Sequence, residues 1–298
     1  MVSTVKRVAA VHDLSCFGRA ALTVIIPTLS AMGIQVCPLP TAVLSTHLGG
    51  FSKVAFCDLS ENMANFSEHW KRENVVFDSI YSGFLASTEQ IDTVVNFIDD
   101  FSDNNPLVLV DPVMGDEGRL YSVYTTKMQE QMQKLVRKAD IITPNYTEAC
   151  FLLEKAYLDV VSGVEEMKSW LVALASFGPR AVVITGIPLT GNRIMNLGYN
   201  STIGGFTEVI STLVPAKYPG TGDIFASVLL GSLLQGHSLA AAMNTASAFV
   251  ELGIKTTFLA GTPPREGVLL EAVLPWLYRK TGAANQGIDI CGTNKTWH

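Results

Sequence analysis

The sequence predicts a three-layer α/β/α protein built on a mostly parallel central sheet. Two observations predict it. Short apolar runs alternate with helix-period stretches along most of the 298 residues, as in a parallel sheet covered on both faces by helices. Several of those runs also stop at a polar residue, namely Asp13, Ser82, Asp111, Thr143 and Thr185. Ligands of open α/β sheets bind outside the carboxyl ends of the strands, so these five residues mark the edge where function is expected.

The elements follow in order. Residues 5–11 read as a buried strand ending in His12-Asp13, and 18–32 as a helix with Leu22, Ile25, Ile26 and Leu29 inward and Pro27 as a point of kinking. Gly33 closes that helix and 34–39 form the second strand. Residues 44–53 are a polar, glycine-containing connection, 59–72 a helix, 79–81 a short strand, 88–101 a helix and 107–110 a four-residue apolar strand. The rhythm then repeats with helix 124–137, strand 141–142, helices 146–153 and 164–175, and strand 181–184. Residues 193–210, richer in Gly, Thr and Asn, suit two antiparallel strands. Three helices starting near Thr221, Leu239 and Glu266 complete the chain. No linker interrupts the pattern, so residues 1–282 are expected to be one domain and 283–298 a loosely attached polar tail.

Composition narrows the function. Apolar residues make up 48% and charged residues 16%, enough for a large core. The net charge of −6 argues against nucleic acid or an anionic membrane as partner. Five cysteines at 16, 37, 57, 150 and 291, with no C-x-x-C pair, indicate neither a disulfide framework nor a zinc site. His12 and Asp13 break the N-terminal apolar run, and no run reaches the ~20 residues of a membrane span. A cytoplasmic protein is expected. The phosphate loops G-x-x-x-x-G-K-[ST] and G-x-G-x-x-G are absent.

One stretch carries chemistry by itself. In Tyr218-Pro219-Gly220-Thr221-Gly222-Asp223-Ile224-Phe225-Ala226, a break and two glycines precede an apolar helix. The unpaired amides of Gly220, Thr221 and Gly222 at that helix start would attract an anion. Simple capping needs one acceptor and no glycines; two glycines suit the close approach of a ligand to the backbone. Asp223 would then take the proton of a substrate hydroxyl during phosphoryl transfer.

This segment resembles the anion-hole signature of the ribokinase-like superfamily. With Asp111-Pro112-Val113-Met114-Gly115-Asp116 and Thr143-Pro144-Asn145-Tyr146-Thr147-Glu148, in that order, it is similar to the vitamin B6 kinases. The resemblance implies a ribokinase-like fold and ATP-dependent phosphorylation of the 5′-hydroxymethyl group of pyridoxal, pyridoxine or pyridoxamine. It implies Asp223 as base and the amides from Gly220 to Asp223 as anion hole. Carboxylates cannot bind phosphate unaided, so Asp111, Asp116 and Glu148 are expected to organise Mg²⁺, with a monovalent cation (K⁺), beside ATP. Asn145, Thr185 and Gly186 fall at its nucleotide-contacting positions, and a homodimer is the expected assembly. On the substrate side the resemblance points to Asp13, Ser15, His47 and Phe84. Here the chain departs from the pattern. Many B6 kinases have Q-S-H where this chain has His12-Asp13-Leu14-Ser15, and Asp13 resembles the related hydroxymethylpyrimidine kinases of thiamin synthesis. Leu48 replaces a pocket threonine, and Phe84 stands where many have tyrosine. The alternatives are therefore a hydroxymethylpyrimidine kinase and a non-catalytic B6- or nucleotide-binding protein.

Overall fold

A computed structural model describes residues 5–121, 124–161 and 163–281; the polar tail expected at 283–298 lies outside them. The first half of the chain forms β1 (Arg7–Ser15), α1 (Leu22–Ala31), β2 (Gln35–Leu44), β3 (Phe56–Asp58), α2 (Ser60–Arg72), β4 (Ser79–Ser82), α3 (Thr88–Asp100), β5 (Leu107–Val110), β6 (Gly115–Asp116), β7 (Arg119–Leu120) and α4 (Thr126–Val136). The second half forms β8 (Ile141–Ile142), α5 (Tyr146–Leu152), α6 (Val164–Ala175), β9 (Ala181–Leu189), β10 (Arg193–Asn200), β11 (Gly205–Thr212), α7 (Thr221–Leu234), α8 (Leu239–Leu259) and α9 (Leu270–Lys280).

Nine strands make one sheet in the order β11-β10-β9-β8-β5-β4-β1-β2-β3. The six from β9 to β2 run parallel. β3 at one edge, and β10 and β11 at the other, are antiparallel. Side chains alternate across the sheet, and the alternation builds two cores. Ala9, Val11, Ile80, Val108, Val110 and Ile184 pack beneath α2 to α6. Val8, Ala10, Tyr81, Leu109 and Val183 pack beneath α1, α7, α8 and α9. Both faces are covered, which is why residues 8–11 of β1 are apolar throughout rather than alternating.

The predicted α/β/α layering is therefore the observed one, with local differences. Helix α1 begins at Leu22, not at residue 18. Residues 18–21 are held out of the helix by Gly18 at φ +83° and Ala21 at φ +51°, and by the bond from Arg19 N–H to Glu266 O at 3.1 Å. The helix continues through Pro27. The connection expected over 44–53 runs over 45–55 instead, because β2 extends to Leu44 and β3 returns beside it from Phe56. The hairpin of β6 and β7 was not foreseen, since two-residue strands have no readable period. Near Glu266 only a single 3₁₀ turn forms, and α9 starts at Leu270.

Candidate active site

The site assembles at the carboxyl edge of the parallel strands around the start of α7. Gly220 precedes the helix in the left-handed region at φ +79°. A Cβ there would stand 2.3 Å from Arg19 O and 3.1 Å from Ala20 Cα. Gly220 is thus required by backbone packing, a correction to the expectation that both glycines serve a ligand. Gly222 fits that expectation: it is exposed, and an added Cβ would meet nothing nearer than Asp111 Oδ2 at 3.9 Å. The helix ladder opens with Ile224 N–H donating to Gly220 O at 2.9 Å, so the amides of Thr221, Gly222 and Asp223 precede it. The Thr221 hydroxyl turns back to Tyr218 O at 3.2 Å, leaving its amide as the group offered to an anion.

Asp223 follows in the first turn. Its Oδ2 accepts from Ala21 N–H at 2.9 Å. Burial of the carboxyl pushes its pKa up to about 7; the Ala21 bond opposes the shift and the charge of Asp13 adds to it. Ala21 offers that N–H from φ 51°, ψ −132°, a sparsely populated conformation for a residue with a side chain.

Asp111 ends β5 and is buried. Burial and then the Asp223 charge hold its pKa well above the usual carboxylate range, and the neighbouring Thr143 hydroxyl eases the shift. Glu148 is buried as well, and its pKa is raised by burial and by Asp111. Its oxygens accept from Met114 N–H at 3.0 Å and Asn145 N–H at 2.8 Å. Asn145 Oδ1 in turn accepts from Glu148 N–H at 2.8 Å, completing a capping box at the start of α5. Asn145 Nδ2 donates to Gly115 O at 2.9 Å and Thr147 Oγ1 accepts from Gly118 N–H at 3.0 Å, so this first turn also anchors the β6–β7 hairpin. Asp116 lies exposed on that hairpin.

The structure does not draw Asp111, Asp116 and Glu148 into one ligand cage. Among the described residues no three His, Cys, Asp or Glu side chains group closely enough to hold a metal. The residues still fit Mg²⁺ in its usual mode, in which one or two carboxylates share the ion with waters and phosphate oxygens. Asp111 and Glu148 are buried acids that repel one another, and a cation would relieve both.

These groups line one cleft of about 400 Å³, the size of a small-ligand site. Asp111, Asn145, Glu148 and Gly220 to Asp223 form its acidic part, and Thr185 and Gly186 also line it, Gly186 beside Asn196. Its other end is an apolar slot of Ile194, Leu213, Val250 and Ile254 with Asn196 and Ser247. Sequence reasoning missed that end. Its one signal was the spacing of Ser247, Val250 and Ile254 on one stripe of a helix, which core packing produces equally well.

Asp13, Ser15, His47 and Phe84 do not line this cleft. Asp13 and Ser15 are buried together, Ser15 Oγ donating to Asp13 Oδ2 at 2.9 Å. Burial raises the Asp13 pKa despite that bond. His47 has both ring nitrogens occupied by backbone: Nε2 donates to Arg265 O at 2.7 Å and Nδ1 accepts from Gly49 N–H at 3.1 Å. The position expected of His47 among the substrate contacts is therefore corrected to a loop-fastening role. Phe84 is half-buried against the core under α2 to α6, edge-on to Tyr124 at 6.2 Å. Asp223 alone belongs to both groups, lining the cleft while bonding to the loop that follows Asp13 and Ser15.

Bare amides at a helix start, with a carboxylate beside them that ionises near neutrality, equip this sheet edge for transferring a phosphoryl group to a hydroxyl. Comparison with known proteins gives the family. The chain belongs to the phosphomethylpyrimidine kinase family, whose pattern it matches over residues 16–265. It is similar to a pyridoxal kinase of Arabidopsis thaliana, 28% identical over 215 residues, which cover 68% of this chain and 66% of that one. It is also similar to a candidate phosphomethylpyrimidine kinase of Bacteroides thetaiotaomicron solved in a crystal form with pyridoxal. That likeness is 46% in sequence with a TM-score of 0.87, over 92% of this chain and 96% of that one. Pyridoxal kinase from Lactobacillus plantarum is 29% identical with a TM-score of 0.84, over 94% and 99% of the two chains.

Proposed function

We propose that this chain transfers the γ-phosphoryl group of ATP to the 5′-hydroxymethyl oxygen of pyridoxal, pyridoxine or pyridoxamine, giving the 5′-phosphate and ADP. The observation that carries the reading is Asp223: a carboxylate with a pKa of about 7, in the first turn of a helix whose leading amides face the cleft. Near neutral pH a large share of it is ionised and able to accept the hydroxyl proton while the new O–P bond forms. The bond from the γ-phosphorus to its bridging oxygen breaks on the opposite side, and the amides of Thr221, Gly222 and Asp223 receive the charge of the group in transit. Ala21 N–H fixes one carboxylate oxygen, leaving the other for the substrate. Asp111 and Glu148 would hold Mg²⁺, which when bound neutralises the polyphosphate; Asp116 on its hairpin, and a bound K⁺, complete the proposed ionic surroundings. Thr185 and Gly186 border the polyphosphate path. Asp13 and Ser15 are the proposed readers of the heterocycle, adjoining Asp223 on the side away from the nucleotide.

Similarity to the Bacteroides protein solved with pyridoxal supports a B6 vitamer as acceptor. Asp13, a buried carboxylate that a pyrimidine amine could satisfy, favours hydroxymethylpyrimidine as the second reading. An intact base argues against a purely binding role. We further propose that residues 1–282 act as one kinase unit, as a homodimer in the cytoplasm; no helix of the described residues is long and apolar enough to cross a membrane. The test is an ATP-dependent phosphorylation assay over the three vitamers and hydroxymethylpyrimidine. Turnover of a vitamer with the higher kcat/KM supports the first reading. Preference for the pyrimidine selects the second, and binding without turnover refutes both.

A further inference from the structure

The apolar end of the cleft contains a hydrogen-bond relay whose direction can be deduced. Gly186 N–H meets the side-chain oxygen of Asn196 at 3.0 Å. A backbone amide only donates, so the Asn196 amide has one permitted orientation, oxygen toward Gly186. Its NH₂ therefore faces Ser247, and Ser247 Oγ accepts from it at 2.9 Å. Ser247 is left with a proton to give, and it gives it to no protein group among the described residues. In a helix the usual acceptor would be the carbonyl four residues earlier, as Thr257 uses Gly253 O at 2.7 Å one face away; Ser247 does not. It is 95% buried, with 5% of its surface exposed, and it lines the cleft. A buried donor without an acceptor costs stability, and here the cleft is where the acceptor must come from.

The surroundings say what kind of acceptor fits. Ile194 lies two residues from Asn196 on the same face of β10, and Val250 and Ile254 continue the Ser247 stripe of α8. These aliphatic side chains form a slot suited to a flat ring, far in character from the amides and acids at the phosphate end. We propose that Ser247, oriented by Asn196, is a nucleotide-base contact: its hydroxyl donates to a ring nitrogen of the adenine base. Purine N1, N3 and N7 are acceptors of this kind. The inference rests on ATP being the phosphoryl donor.

The experiment compares wild type with Ser247→Ala, checked for an unchanged melting temperature, using ATP and its 1-deaza, 3-deaza and 7-deaza analogues in kinetics and ADP in calorimetry. One lost neutral hydrogen bond corresponds to a roughly 3- to 10-fold change. Wild type should show that rise in KM with a single deaza analogue. Ser247→Ala should show the same rise with ATP itself and no further rise with that analogue. KM for the hydroxymethyl substrate and kcat at saturation should not move. Asn196→Leu, which removes the relay, should reproduce the Ser247→Ala pattern. Unchanged ATP kinetics in active Ser247→Ala overturns this inference and leaves the kinase reading standing. Equal losses with every analogue would assign Ser247 a packing role and overturn it too. Failure of wild type to bind ADP would overturn both.

Discussion

Replacing Asp223 by Asn should impair catalysis and stabilise the fold at once. Asn keeps an oxygen for Ala21 N–H but cannot take a proton from the acceptor hydroxyl, so kcat should fall by ~10²- to 10⁴-fold with ATP still bound. The stability effect follows from the shift of the carboxyl from 3.8 to about 7. Three pK units at ~1.4 kcal/mol each set a ceiling of roughly 4 kcal/mol, and the opening of the cleft to water reduces that to roughly 2 kcal/mol. The sign is fixed by proton counting. Between pH 4 and 7 the folded protein holds more protons at this site than the unfolded chain, so wild-type stability falls as pH rises through that window. The Asn variant has no such loss. Its advantage should be absent below pH 4, grow up to pH 7 and then level off, at roughly 4 °C in Tm. Thermal melts of both proteins from pH 4 to 8.5, in the absence of ligands and divalent ions, with single-turnover kinetics at pH 7.5, measure both effects. Normal turnover, or a Tm difference that does not change with pH, would refute the assignment of Asp223 as a charged base in a desolvated site.

Other substitutions separate the roles of neighbouring residues. Gly220→Ala should lose several kcal/mol of stability, because the methyl group would press on Arg19 O from a left-handed backbone; chemical denaturation reads this. Gly222→Ala should melt like wild type yet lose at least ~10-fold in kcat/KM for ATP, since its methyl group projects only into the cleft. Glu148→Gln should raise the Mg²⁺ concentration needed for half-maximal activity and also cost ~1–3 kcal/mol, because an amide NH₂ would confront Met114 or Asn145 N–H; a Mg²⁺ titration beside a denaturation curve separates the two effects. Asp13→Ser should change relative kcat/KM among pyridoxal, pyridoxamine and hydroxymethylpyrimidine while KM for ATP stays constant; a uniform fall would remove Asp13 from ring recognition.

The layers and the helix start at Thr221 were legible because each rests on local pattern: buried strands are apolar throughout, and a Gly-Thr-Gly-Asp run cannot continue a strand. Asp111 was placed as the polar residue at which such a strand stops, whereas Thr185, read the same way, lies inside β9, which runs on to Leu189. What escaped depended on partners distant in sequence. Gly220 looks like Gly222 in the sequence, and only the backbone of residues 19–20 distinguishes them. The fastening of His47 depends on Arg265, 218 residues away. Ser247 sits in a helix that reads as core, and its meaning comes from Asn196 on a strand and Gly186 on another. Phe84 follows β4 as expected, but which way its ring turns is settled by packing with Tyr124.

The contact between Gly220 and the chain at 19–20 is a joint without clearance. No side chain intervenes, and one hydrogen bond from Ala21 to Asp223 locks it. The proposed base and the loop after β1 are therefore spaced by a backbone contact rather than by side chains. The residues proposed to read the acceptor, Asp13 and Ser15, can be exchanged without altering this main-chain contact. A scaffold of this construction can be refitted from one hydroxymethyl ring to another while its reaction geometry stays in gauge.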